Sequence, residues 1–176
     1  VEGPDGERIG RGLYHPHVTL ALRMLTRDPD EQIDAGFFAR RFATARALRE
    51  ALHIHEVSDS YRLIHAEADG LSGLMVDVFG KVIRVDCFAR GMSLLEAPIR
   101  EALAELFPGH QVVIRGDARC GDIEGFQVPA RPEDPDACKV TEHGVRFHVD
   151  LREGHKTGFF LDQRDNRRDL AALAKG

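Results

Sequence analysis

Tryptophan is absent from this 176-residue chain, and tyrosine occurs only twice. Cysteine is scarce as well. Cys87, Cys120 and Cys138 are odd in number and scattered, which argues against a disulfide framework and for a reducing, cytoplasmic setting. No Cys-x-x-Cys pair accompanies His15-x-His17 or His53-x-His55, so the spacing gives no zinc signature and no metal site is expected. No apolar run is long enough for a membrane span, and no signal-peptide pattern is present. An excess of positive charge is also missing: the formal net charge is −5, unlike a dedicated nucleic-acid-binding module. Any RNA contact must therefore come from a local basic patch, and the C-terminal stretch is the best candidate.

What is present suffices for a core. Hydrophobic residues make up 43% and charged residues 30%, enough for one ordinary domain with appended segments. Val18–Leu25 reads as a strand lying outside the main core. From about Asp34 to Leu52, Phe38, Phe42, Ala45, Leu48 and Leu52 recur at helical spacing, with Arg40, Arg41, Arg46 and Arg49 as the wet side. Tyr61–Ala68, Leu74–Val78 and Val82–Phe88 read as strands, with Asp69-Gly70 and Phe79-Gly80-Lys81 as turns; Glu67 and Asp69 are read as turn residues rather than an acid/base pair. Asp77 and Asp86 alternate with valines and a cysteine as in half-buried strands. A helix over Ser93–Leu106 buries Ile99, Leu103 and Leu106; Ser93 and Glu96 match a capping box, although Pro98 suits a later start. Gln111–Arg115 is a short strand, and Gly116–Pro135 holds at most a short helix near Asp117–Ile123. Lys139–Glu142 and Val145–Leu151 form a hairpin around His143-Gly144. The expected class is α+β: a mixed, mainly antiparallel sheet with helices on one face.

The densest chemistry lies at Arg152–Arg168. Gly154 and Gly158 permit left-handed backbone or close ligand approach. Asp162 stands at an N-cap position, and Leu170 and Leu173 give the following helix an apolar side. A Gly-Lys-Thr-Gly lead-in to a helix offers N–H groups and positive charge to an anionic group. The alternative is a loop and a solvated helix whose charges pair with one another. The spacing fits neither a phosphate-binding P-loop nor a dinucleotide fingerprint.

Gly154-His155-Lys156-Thr157-Gly158-Phe159-Phe160-Leu161-Asp162-Gln163-Arg164-Asp165-Asn166-Arg167 resembles the Gly-Gln-Lys-Thr-Gly-Phe-Phe-Leu-Asp-Gln-Arg-Asp-Asn-Arg signature of S-adenosylmethionine-dependent ribosomal RNA methyltransferases. The likeness is to those that make 5-methylcytosine in the large-subunit RNA. A second block, Tyr61-Arg62-Leu63-Ile64-His65-Ala66-Glu67-Ala68-Asp69-Gly70-Leu71-Ser72-Gly73-Leu74-Met75-Val76-Asp77, is similar to that family's Tyr-Arg-Leu-Val-His-Gly-Glu-Ala-Asp-Gly-Leu-Pro-Gly-Leu-Val-Val-Asp. A third, weaker block from Gly12 to Leu25 resembles the end of the family's N-terminal PUA domain. His155 and His15 depart from the family's Gln and Asn, so contacts of those two side chains are not carried over.

The resemblance implies a middle piece of a three-part enzyme. Residues 1–27 would be the end of a PUA-like domain, 28–58 a linking helix and 59–152 a central α+β domain. Residues 153–176 would be a cofactor-side segment leading into a methyltransferase domain outside this chain. The implied function is 5-methylcytosine formation in 23S ribosomal RNA, with ribosomal RNA as partner and a homodimer as one assembly; the rival is a non-enzymatic RNA- or protein-binding module. The implied cofactor is S-adenosyl-L-methionine, met by Lys156, Thr157, Gly158, Phe159, Phe160, Asp162, Gln163, Arg164 and Arg167. Within that set Asp162 would cap the helix, and Gln163 and Arg164 would face the cofactor or its carboxylate. Lys156 and Arg167 would add positive charge, and Phe159 and Phe160 apolar wall. The catalytic cysteine is implied to lie outside this chain, and Gly154–Gly176 is expected to pack poorly or to contact another chain.

Overall fold

A four-stranded sheet organises the chain in the order β3-β4-β5-β6. Its strands are β3 (Ser60–His65), β4 (Leu74–Phe79), β5 (Val82–Cys87) and β6 (Gln111–Gly116). The first three pair antiparallel and β6 runs parallel to β5, a mixed sheet as expected. The computed structural model describes residues 1–152 and 158–174. Strict alternation sends Leu74, Val76 and Val78 of β4, and Ile83, Val85 and Cys87 of β5, to one face, where all six are buried.

Helix α1 (Ala35–Ala51) and helix α3 (Glu96–Leu106) cover that face. Asp34 starts α1 by accepting a hydrogen bond from the Phe37 N–H at 2.9 Å. Phe37, Phe38, Phe42 and Ala45 are buried, whereas Leu48 and Leu52 are exposed, so the apolar stripe ends a turn earlier than its spacing suggests. The arginines of α1 are not simply its wet side. Arg46 donates to the Leu106 carbonyl of α3, and Arg49 makes a two-pronged pair with Asp69.

The parallel β5–β6 connection requires a crossover, which is broken into α2 (Arg90–Ser93) and α3. The expected Ser93 cap does not form. Ser93 ends α2 and donates its hydroxyl to the Arg90 carbonyl, and Leu95 precedes α3 without a side-chain cap. Pro98 then falls in the first turn of α3, where its missing N–H costs nothing. Helix α4 (Ala118–Glu124) is capped by Asp117, which accepts from the Cys120 N–H at 2.8 Å.

Two hairpins flank this sheet. Strand β2 (Leu22–Thr26) is shorter than the expected Val18–Leu25 and pairs with β1 (Arg11–Tyr14), a segment without apolar alternation of its own. The expectation that this strand stays out of the core is corrected: Leu25 is buried in the main core that also holds the phenylalanines of α1. The second hairpin, β7 (Ala137–Glu142) and β8 (Val145–Asp150), turns at His143 and Gly144, both in the left-handed region. It forms its own two-stranded sheet rather than extending the main one. Val140 and Val149 close a second core with Phe79, Val82 and Val113 on the opposite face of the main sheet. The Asp69-Gly70 turn is also more than a tight hairpin: a 3₁₀ turn over Ala66–Asp69 joins β3 to β4, and Gly70 ends it at φ 72°.

Candidate functional site

The Gly158–Arg167 segment is built onto the β7–β8 hairpin. Gly158 adopts φ +101°, and a Cβ there would sit 2.1 Å from the Asp150 carbonyl oxygen, so no side chain fits. Phe159 then packs on Phe147 with ring centroids 5.2 Å apart. Leu161 joins the second core and opens a 3₁₀ turn over Leu161–Gln163 that runs into α5 (Arg164–Leu173).

The nine expected site residues are not equivalent. Lys156 and Thr157 lie outside the described residues. Asp162 does not cap α5; it sits inside the 3₁₀ turn, and Gln163 holds the cap position without a side-chain cap bond. Gln163 instead accepts from the Asn166 side-chain amide at 2.7 Å. Arg167 is turned onto the hairpin. Its Nε and Nη2 donate to both Glu142 oxygens at 2.7 and 2.8 Å, and its guanidinium lies 4.3 Å from the Phe159 ring centroid. Phe160 is 43% exposed. The expectation of poor packing is thus corrected for Phe159, Leu161 and Arg167, although Leu170 and Leu173 of α5 remain exposed.

Phe159, Leu161, Asp162 and Arg164 form one wall of a cleft of about 470 Å³. Arg49, Ile54, Tyr61, Arg62 and His65 form the facing wall. Sequence reading missed this second wall. Its signal was the Tyr61–His65 block, whose polar residues fall on a strand and need an open surface. Arg62 donates to both Asp77 oxygens at 2.9 and 3.0 Å. Its pKa is raised first by that bond and further by the nearby charges of Asp77, Asp86 and Asp162, against the lowering effect of burial. Burial pushes the Tyr61 hydroxyl up as well. Arg164 is mostly covered, with Nε 3.8 Å from an Asp165 oxygen. Guanidinium groups, an imidazole, a carboxylate and aromatic surface together suit an anionic, partly planar small molecule.

No thiol nucleophile accompanies the cleft. Burial pushes Cys87 up to about 12, and burial is also the largest cause raising Cys120 and Cys138 to about 11. These are the opposite of activated thiolates. Among the described residues no three metal-ligating side chains converge, and His15 and His53 contact the Glu124 carbonyl and the Glu56 carboxylate.

No family model matches this chain. It is 39% identical over 170 residues to the ribosomal RNA large subunit methyltransferase I of Pseudoalteromonas atlantica, an overlap of 95% of this chain and 43% of that protein. It is 38% identical over 167 residues to the protein of the same name from Escherichia coli, covering 93% of this chain and 42% of the relative. The chain therefore spans less than half the length of the curated relatives it matches. Among solved structures, a Streptococcus mutans protein assigned as an S-adenosylmethionine-dependent methyltransferase superposes with a TM-score of 0.74 at 18% identity, over 96% of this chain and 44% of its own. Another chain assigned as a methyltransferase, solved with S-adenosylhomocysteine, gives 0.73 at 18% identity over 92% and 41%. Both structures share the fold described above, and no helix among the described residues is long and apolar enough to cross a membrane.

Proposed function

We propose that this chain is part of an S-adenosylmethionine-dependent RNA methyltransferase that forms 5-methylcytosine in 23S ribosomal RNA. The observation that carries the reading is the cleft between Phe159–Arg164 and the Arg62–His65 end of β3. It joins the two sequence blocks that resemble the methyltransferases, and the curated relatives are named as methyltransferases of large-subunit ribosomal RNA. The residues fit one end of the cofactor. Arg164 suits its carboxylate, Asp162 its ammonium group, and Phe159 and Tyr61 its apolar portions. Gln163, Phe160 and Gly158 complete this side, Lys156 and Thr157 are assigned to it by the resemblance alone, and Arg167 acts by holding Phe159 in place.

When bound, S-adenosylmethionine supplies an electrophilic methyl group on a sulfonium. Cytosine C5 becomes nucleophilic after a cysteine adds to C6, and the raised thiols here do not suit that role. The nucleophile and most of the cofactor site would therefore come from the remainder of the longer protein. Residues 1–176 alone are expected to transfer no methyl group and to bind the cofactor weakly. In this reading the β1–β2 hairpin within residues 1–27 is the end of a PUA-like domain, and 28–58 links it to 59–152. Residues 153–176 lead into the methyltransferase domain, and the protein acts in the cytoplasm, alone or as a homodimer.

The test is methyl transfer from labelled S-adenosylmethionine to 23S RNA by the full-length protein, with the product nucleoside identified by mass spectrometry. Labelled 5-methylcytosine is expected. A methylated guanine would replace the target base. No transfer, with RNA binding retained, would favour the non-enzymatic binding module.

A further inference from the structure

The face of the main sheet away from α1 and α3 is divided in two. Phe79, Val82 and Val113 lie under the β7–β8 hairpin in the second core. The adjoining positions are charged. Arg62, Asp77 and Arg84 stand side by side across three strands, and Met75, Asp86 and Arg115 form the next row. Met75, Asp77, Arg84 and Asp86 lie on the two central strands, where apolar side chains would be the rule beneath a permanent cover. Instead a cleft of about 450 Å³ opens there, lined in part by Arg62, Met75, Arg84, Asp86 and Phe88.

Arg62 also lines the cofactor-side cleft, so the two hollows share that residue. The charges are internally balanced: Arg62 is held by Asp77, and Arg84 donates to both Asp86 oxygens at 3.0–3.1 Å. Asp117 adds a further carboxylate to the lining, so the cleft does not select bare phosphate. Fixed donors and acceptors beside an aromatic ring and a thioether suit the edge and face of a nucleobase. The hollow also has the size of a small-ligand site rather than the flatness of a protein interface.

We infer that the cleft over Arg84 and Asp86 receives an unstacked base of the RNA substrate, with Phe88 as its stacking wall. The inference rests on the RNA-directed reading above and adds the surface that holds the nucleotide. Methylation at C5 requires the target base out of its stack, and a pocket adjoining the cofactor side can take that base or a neighbour.

Two measurements on the full-length protein test it. Irradiation of the wild type with a single-stranded 23S RNA fragment bearing 4-thiouridine should give adducts at Met75 or Phe88. Phe88→Leu, which keeps apolar bulk but removes the ring, should weaken binding of that fragment about tenfold while S-adenosylhomocysteine affinity stays unchanged. Adducts confined to other surfaces, or Phe88→Leu with wild-type RNA affinity, would overturn the inference. It would equally be overturned if Phe88→Leu loosened contact with the rest of the polypeptide and left RNA binding intact, since the face would then be a docking surface. If the cross-link forms in a protein that transfers no methyl group, the enzymatic reading fails and the nucleotide cleft stands.

Discussion

Arg167 and Glu142 are joined by two hydrogen bonds across 25 positions of sequence, and only 2% of the Glu142 side chain is exposed. The pair, with Phe159 stacked on the guanidinium, anchors the start of α5 to the hairpin. Arg167→Ala leaves the Glu142 carboxylate covered and unpaired, which costs on the order of 2–4 kcal/mol. The loss should be local. Hydrogen exchange over Gly158–Leu173 should accelerate while the β4–β5 strands keep their protection; unchanged exchange in that segment would show that the pair does not hold it.

Asp69 ties α1 to the end of β3 by accepting from Arg49 and from the His65 N–H. Burial pushes its carboxyl up, but those hydrogen bonds outweigh burial and leave it below the usual aspartate range. An acid with a lowered folded pKa binds fewer protons folded than unfolded. Its contribution is therefore complete above the unfolded value of about 3.9 and is lost as pH falls through the folded value. Urea unfolding at stepped pH should show stability falling below about pH 4, with a shallower fall in Asp69→Asn. Equal slopes for the two proteins would assign the acid sensitivity to other carboxylates.

Leu25 places the β1–β2 hairpin in the main core, with 4% of its surface exposed. Leu25→Ala should cost about 2–4 kcal/mol, as buried leucine truncations do. Exposed Leu22→Ala on the same strand should change stability by less than about 0.5 kcal/mol. If both changes were silent in chemical unfolding, the hairpin would be an appendage.

These contacts mark what could be read from the sequence. Asp34, Asp117 and the His143-Gly144 pair announce their helices and turn because caps and left-handed turns are local devices. The break between α2 and α3 was hidden because Ser93 and Glu96 satisfy a local rule that the chain does not use. Strand β1 has no alternation of its own and exists through pairing with β2. In the cleft, the Phe159–Arg164 wall was legible as a motif. Arg49 and Arg62 were not, since only tertiary packing brings α1 and β3 opposite that motif. Arg167 was legible as a cation but not as an anchor, because its partner lies on a distant hairpin.

The most direct test of the account is calorimetric titration of S-adenosylhomocysteine into the full-length protein and its Arg164→Ala variant. Loss of a charge-assisted bond to the carboxylate should weaken binding by about 1–3 kcal/mol, with the thermal midpoint of the ligand-free protein nearly unaltered. Unchanged affinity together with a strongly lowered midpoint would contradict the account, making Arg164 a structural residue and the segment a solvated helix start.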